Sequence, residues 1–404
     1  MVCCSVIALA GAMRSIAKVL DNAAMIARAT RLVPPLSGSD RHKGQCGRIG
    51  VVGGCSEYTG APYYAAAAAL RAGADLSHIF CANGAAAAIK AYSPDIIVHP
   101  YLVERGDVAA SGATREEEEA EASRAASSRV AAWLPALHCL VIGPGLGRDP
   151  VMLATAKHLM QLASAQGIPI VVDADGECLN ACTISRFSLP RAQSSATRAF
   201  RTVSPRLLTA IARCTPGLWI WSQADFDPAA VLQHGSPVVL TPNANEMRRL
   251  SAAAASRSGH PAPAPPGGSD AGVDAFALCE ALRGDTVVLG KGKEDTVCSR
   301  RLGEGGTLVC AGAGCPRRCG GQGDVLSGVA AAFLAWGAIA EKRSDEGGRE
   351  AREEDWREVA AWAGCAVTRE AVRCAFAKHG RAMLATDVLA HVGPAFAALF
   401  PEPL

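Results

Sequence analysis

The sequence predicts an α/β fold, with a mainly parallel sheet and helices on both faces. Three observations carry that prediction. Short apolar runs recur between Ile49 and Leu289, and most end in glycine or a small polar turn. Ala-rich or otherwise helical stretches alternate with them, the pattern of repeated βα units. The chain has 404 residues, 50% of them hydrophobic, which is enough for a sizeable core. Strand–helix alternation of this kind builds parallel sheets, and ligands bind at the carboxyl ends of their strands.

The elements follow in order. A helix over 21–32 is stopped by Pro34-Pro35. Residues 49–52 form a buried strand, Gly53-Gly54 ends it, 57–62 turn, and 63–72 are helical. Strands are expected over 76–81 and 96–99. Residues 103–130 contain Arg115-Glu116-Glu117-Glu118-Glu119 among Ala and Ser, a solvated surface helix or loop to which no function is assigned. A strand over 139–142 runs into the glycine-rich turn Gly143-Pro144-Gly145-Leu146-Gly147, followed by a helix over 152–165. The strand 168–172 ends in Asp173-Ala174-Asp175-Gly176. Residues 177–217 fit no neighbouring βα unit, and Leu218-Trp219-Ile220-Trp221 resumes a pattern that would join directly onto Gly176.

A strand over 237–240 leads into Thr241-Pro242-Asn243-Ala244-Asn245-Glu246 and a helix over 247–255. Residues 256–272 read as a flexible Pro/Gly/Ser/Ala loop. A helix over 273–282, a strand over 286–289 and a hairpin over 296–309 come next. A hydrophobic helix is expected over 325–336 and a charged loop over 341–355, then helices over 356–379 and 386–400. There is no internal repeat and no clean linker, so residues 21–404 are read as one domain.

The totals exclude several classes. A net charge of +2 gives no nucleic-acid signal. No apolar run reads as long enough to span a bilayer. The 16 cysteines are scattered, with no CxxC pair and no Cys/His zinc pattern, which favours a reduced intracellular protein over a disulfide scaffold. Residues 1–20 are small, apolar and lightly basic, which permits a mitochondrial or plastid targeting segment. A cytoplasmic location is the default expectation.

One stretch organises the chemistry: Gly314-Cys315-Pro316-Arg317-Arg318-Cys319-Gly320-Gly321-Gln322-Gly323-Asp324. Its glycines let backbone N–H groups converge on one concavity. A helix beginning near Asp324 would aim its free N–H groups and positive dipole end at the same place. The result is a phosphate cradle with an acid at its lip, placed to accept a proton. Lys291, between Gly290 and Gly292, can lie along a phosphate chain as a point charge, or can be a solvated turn lysine. Asn243 and Glu246 either serve a Mg²⁺ hydration shell, with Glu246 acting through water, or cap a helix. Asp173 and Asp175 could serve substrate or metal, and Asp175 equally a helix cap. His42, His78 and His99 are isolated and read as structural.

These residues resemble the ATP-dependent (S)-NAD(P)H-hydrate dehydratases. The resemblance runs from about residue 21 to the C-terminus, through Lys43-Gly44-Gln45, Gly47-Arg48-Ile49-Gly50, Glu57-Tyr58-Thr59-Gly60-Ala61-Pro62, Gly73-Ala74-Asp75-Leu76, Ala91-Tyr92-Ser93-Pro94, His99-Pro100, Thr241-Pro242-Asn243 and Lys378-His379-Gly380-Arg381. It implies a ribokinase-like three-layer α/β/α domain with a mainly parallel central sheet. It implies dehydration of the S epimer of hydrated NADH or NADPH, coupled to ATP hydrolysis through phosphorylation of the ring hydroxyl, with Mg²⁺. By the same resemblance Gly145, the run Asn243-Ala244-Asn245-Glu246-Met247-Arg248-Arg249, and Asp324 contact the hydrated nucleotide. Lys291-Gly292-Lys293-Glu294-Asp295 and residues 314–323 hold ATP, and Asp324 deprotonates or orients the hydroxyl.

The chain departs from the family at Ala244, where His is usual, and at Cys315-Pro316, where Ser is usual nearby. The third departure is 177–217, read as a non-family insertion, either translated intron sequence or a gene-model error. No fused epimerase is present, so a separate NAD(P)H-hydrate epimerase is the expected pathway partner. Nucleic acid and membrane are not expected partners, and a homo-oligomer is permitted. The alternatives are a ribokinase-like kinase for a sugar or vitamin precursor, which keeps the phosphate on its product, and a catalytically dead nucleotide sensor.

Overall fold

The computed structural model describes residues 22–36, 42–173, 231, 235–258, 271–282, 284–303, 306–345 and 355–401. The candidate targeting segment 1–20, the expected insertion 177–217, most of the expected loop 256–272, Asp175 and Trp219 and Trp221 lie outside the described residues.

The described elements are α1 (Asn22–Thr30), β1 (Arg48–Val52), α2 (Gly60–Ala72), β2 (Leu76–Ala82), α3 (Asn83–Tyr92), β3 (Ile97–Leu102), α4 (Arg115–Ala131), β4 (Cys139–Ile142), α5 (Pro150–Ala165), β5 (Ile170–Val172), β6 (Val238–Leu240), α6 (Ala244–Ser258), α7 (Ala271–Leu282), β7 (Thr286–Gly290), β8 (Asp295–Ser299), β9 (Thr307–Cys310), α8 (Gln322–Asp345), α9 (Trp356–His379) and α10 (Ala385–Leu399). The strands form one sheet in the order β3-β2-β1-β4-β5-β6-β7-β8-β9. The pairs from β3 to β7 are parallel. Strands β7, β8 and β9 pair antiparallel, as the expected hairpin requires.

Alternate strand residues enter two different cores, because successive side chains point to opposite faces. Ile49, Val51, Ile79, Val141, Val171, Val239, Val287 and Leu289 pack with α1, α2, α3, α8, α9 and α10. Val52, Phe80, Leu140, Ile142, Ile170, Val172, Val238, Leu240 and Val288 pack with α4, α5, α6 and α7. This is the three-layer arrangement expected from the sequence.

Three expectations are corrected. The helix α3 was not expected; Ala85, Ala86 and Ile89 bury one side of it against the core. Helix α8 starts before and runs past the expected 325–336, taking in the start of the charged stretch, whose Glu, Lys and Arg are good helix formers. Its span Gln322–Ser344 is also long and apolar enough to cross a membrane, contrary to the reading of the sequence. Here it is a core helix: residues from Val325 to Trp336 are almost wholly buried, between α2 and α9. The acidic run behaves as expected, as a helix with a Thr114–Glu117 capping box.

The structural histidines give the fold a pH limit. Nδ1 of His78 lies 3.1 Å from Nε2 of His99, and both rings are buried beside Phe80 and Trp133. Burial, then neighbouring His99 and Arg48, push His78 down to about 4. His138 accepts the Arg48 N–H at 3.0 Å, and burial followed by the Arg48 charge pushes it down to about 4. Both folded values lie below the ordinary 6.5, so below that pH the unfolded chain binds protons that the folded one refuses. Stability is therefore expected to be full above about pH 6.5 and to fall as the pH drops toward 4. Melting temperature measured across that window tests this, and a flat profile would refute it.

Candidate functional site

The strand order reverses between β1 and β4, and the turns after those two strands are locked together. Gly54 N–H donates to Pro144 O at 3.0 Å, and Cys55 N–H donates to Gly145 O at 2.8 Å. Gly145 has φ +59, and a Cβ there would lie 2.5 Å from Tyr58 O, so the turn needs glycine twice over. Such a crevice at the carboxyl ends of reversing strands is where ligands bind in open α/β sheets.

Three further strand ends open onto the same rim. Asp173 follows β5, Thr241 and Asn243 follow β6, and Lys291 follows β7. Thr241 Oγ1 donates to Asp173 Oδ1 at 2.6 Å, and Lys291 Nζ donates to the same oxygen at 3.1 Å. Lys291 N–H donates to Pro242 O at 3.0 Å, fixing the two turns to one another. Asp173 is fully buried, and its Oδ2 accepts no hydrogen bond from the described residues.

The glycine-rich stretch arrives from the other side as the start of α8. A Cβ built on Gly323 would lie 3.2 Å from Lys291 Nζ and 3.9 Å from each Asp173 carboxylate oxygen. The backbone at this helix N-terminus thus passes directly over the Lys291–Asp173 pair. Asp324, next in sequence, sits in the first turn of α8 and is 1% exposed. Burial works against the Lys291 charge, but Asp173, then Glu246 and Asp324, outweigh it and hold the ammonium above the ordinary lysine range. Gly321, at φ +91, brings the loop against Tyr64 of α2, whose hydroxyl is pushed up by burial and then by Tyr63 and Asp324. Gln322 Nε2 and the Cys315 thiol both donate to Arg317 O, which closes the loop on itself. Arg318 is exposed, and Arg317 is partly buried.

The sequence left two functions open for Asn243 and Glu246, and the structure shows the cap. Asn243 Oδ1 accepts the N–H groups of Asn245 and Glu246, while Glu246 Oε2 accepts the Asn243 N–H at 2.8 Å. Glu246 Oε1 accepts from Asn243 Nδ2 at 2.6 Å, and the residue is 3% exposed. Among the others, Ala244, Asn245 and Arg248 are exposed on the first turn of α6, Arg249 is half-buried, and Met247 points into the core. Lys293 and Glu294 are exposed at the turn tip, while Asp295 is buried and its Oδ1 accepts the Gly292 N–H at 2.9 Å. No group of three His, Cys, Asp or Glu residues suited to a metal occurs among the described residues.

Sequence reasoning missed two contributions. It left Asp173 between substrate and metal and did not pair it with Lys291, whose ammonium donates to its Oδ1. It gave no role to Arg369, on α9, which donates to Lys293 O in one segment expected to hold ATP and to Gly312 O, two residues before the other.

The NAD(P)H-hydrate dehydratase family model matches residues 49–194 and 217–393. The ATP-dependent (S)-NAD(P)H-hydrate dehydratase of Pongo abelii is 37% identical over 403 residues, covering 96% of this chain and 97% of that protein. Among solved structures, a ribokinase-like superfamily protein from Enterococcus faecalis superposes with a TM-score of 0.58 at 17% identity, over 95% of this chain and 96% of that one. The ADP/ATP-dependent NAD(P)H-hydrate dehydratase of Bacillus subtilis, co-crystallised with ATP and Mg²⁺, superposes with a TM-score of 0.50 at 15% identity, over 91% and 96%. The architecture is therefore the ribokinase-like α/β fold. Within that class, the chain belongs to the NAD(P)H-hydrate dehydratase family.

Proposed function

We propose that this protein is an ATP-dependent (S)-NAD(P)H-hydrate dehydratase, with Asp324 as its catalytic base. The observation that carries the site assignment is the position of Asp324: almost fully buried in the first turn of α8, directly after the glycine cradle, with the Lys291 ammonium against Gly323. The hydroxyl on the hydrated nicotinamide ring gives its proton to Asp324, and its oxygen attacks the γ-phosphorus of ATP as ADP leaves. The C–O bond then breaks, phosphate departs, and loss of a proton from the neighbouring ring carbon restores the double bond. The net products are the reduced nucleotide, ADP and phosphate. The N–H groups of residues 320–323 and the Lys291 ammonium stabilise charge on the transferring phosphoryl.

The ATP side of the cleft is residues 291–295 and 314–323. The side of Gly145 and residues 243–249 receives the nucleotide being repaired. Mg²⁺ fits this site on charge. Asp173, Glu246 and Asp324 are all buried around Lys291, and Asp173 Oδ2 has no hydrogen-bond donor among the described residues. ATP phosphates brought to such an acidic rim require a dication, which supplies charge neutralisation when bound. Asp173 and, through water, Glu246 would hold it.

A separate epimerase, which converts the other epimer of the hydrate to the one used here, completes the repair. The described cysteines are all free, in keeping with a reducing compartment such as the cytoplasm. The purified protein, given ATP, Mg²⁺ and hydrated NADH, is expected to restore NADH absorbance and release ADP and phosphate in equal amounts. A folded preparation that transfers phosphate to its substrate without restoring NADH would establish the kinase alternative instead.

A further inference from the structure

Arg369 projects from the middle of α9 to a point between the two segments assigned to ATP. Its Nη2 donates to Lys293 O at 2.6 Å, and its Nε donates to Gly312 O at 2.8 Å. Its Nη1 lies 3.1 Å from Asp295 Oδ2. The other oxygen of that carboxylate accepts the Gly292 N–H at 2.9 Å. One guanidinium thus engages the turn after β7 through a carbonyl and a carboxylate, and the loop after β9 through a second carbonyl. The Arg369 side chain is 12% exposed and that of Asp295 is 11% exposed. The loop runs so close over the guanidinium that a Cβ on Gly314 would lie 3.2 Å from Nη2. Two turns earlier on the same side of α9, Trp362 donates its indole N–H to Val309 O at 3.2 Å. That contact seats the strand from which the loop departs.

We propose that Arg369 is a positioning residue for ATP, acting by clamping the 291–295 turn to the loop that enters the glycine cradle. The inference rests on the assignment of those two segments to ATP. Only a planar fork with several fixed donors satisfies three acceptors in different directions, so lysine is not an equivalent here. The clamp holds both halves of the phosphate site in place before ATP arrives, and such preorganisation is read out as affinity. The hydrated nucleotide, on the far side of Asp324, does not depend on it.

The test compares wild type with Arg369→Met, Arg369→Lys and the pair variant Arg369→Met/Asp295→Asn. ATP binding is measured by calorimetry, and KM for ATP and for hydrated NADH by NADH recovery. Wild type that binds no ATP would overturn the assignment of the site itself, and is measured first. With wild-type binding in place, Arg369→Met is expected to weaken ATP about tenfold or more while KM for hydrated NADH, at saturating ATP, stays within about twofold. Arg369→Lys is expected to recover little of the loss. Restoration by lysine would show that charge and not the fork is used, and equal shifts in both KM values would show a merely structural residue; either overturns the proposal. Arg369→Met leaves a nearly buried Asp295 carboxylate without its partner and can fail to fold. The pair variant removes both charges. It is expected to fold and to bind ATP as weakly as the single variant, because the two residues form one unit. Wild-type ATP affinity in the pair variant, or its failure to fold, overturns the proposal.

Discussion

Asp324→Asn is expected to lower turnover roughly a thousandfold while leaving ATP affinity within about threefold of wild type. The carboxamide keeps the shape of the side chain, so the first turn of α8 and the glycine cradle before it stay in place. What is lost is the ability to take the proton of the ring hydroxyl, a contribution worth about 10²- to 10⁴-fold in general-base catalysis. A secondary effect is electrostatic. Lys291 is surrounded by Asp173, Glu246 and Asp324, and the substitution removes one of these negative charges from a buried site. Because Asp173 remains bonded to Lys291 Nζ at 3.1 Å, the ammonium keeps its place. Steady-state NADH recovery at saturating ATP and hydrated NADH gives the turnover, and calorimetry gives the ATP affinity. Turnover within tenfold of wild type would remove Asp324 from the proton transfer. A parallel collapse of ATP affinity would show that its role is to shape the cradle.

The strands were legible because each is a short apolar run cut off by a turn. Cys139–Ile142 is apolar at all four positions and stops at Gly143, and the structure returns it with the same bounds. Helix α3 was not legible, because Asn83-Gly84 reads as a turn and ten residues carry little periodicity. Tertiary burial of Ala85, Ala86 and Ile89 decided it. The glycine turns of the site were legible as motifs at strand ends. The pairing of Lys291 with Asp173 was not, since the two are 118 positions apart and meet only through the order β5-β6-β7. Arg369 carries no local signal: it lies in a helix 57 positions beyond the loop it holds. Conversely, Asn243 and Glu246 at i and i+3 had the spacing of a cap, and the cap is what formed.

Gly328→Ala should be strongly damaging for a change of one methyl group. Gly328 lies one turn beyond Asp324 on α8, at the crossing with α2, and a Cβ there would sit 2.0 Å from Ala65 O. Two effects compete. Alanine is a better helix former than glycine, by about 1 kcal/mol. Against that stands a clash with backbone, which no rotamer change can relieve; overpacking of this kind costs about 3 kcal/mol or more when the helices themselves must separate. The clash wins, leaving a net loss of roughly 2 kcal/mol or more. With an unfolding entropy of about 2.1 cal/mol/K per residue, that corresponds to a fall in melting temperature of roughly 2 to 3 °C. The functional loss is expected to be larger than the thermal one. Moving α8 away from α2 shifts Asp324 and also Gly321, which is held against Tyr64 of α2. Displacement of a reacting group by about 1 Å can cost a hundredfold in rate. Folded Gly328→Ala protein is therefore expected to show turnover lowered by roughly that factor at a temperature well below its melting point. A melting temperature equal to or above wild type, with unchanged turnover, would mean that the α2–α8 crossing does not set the position of Asp324.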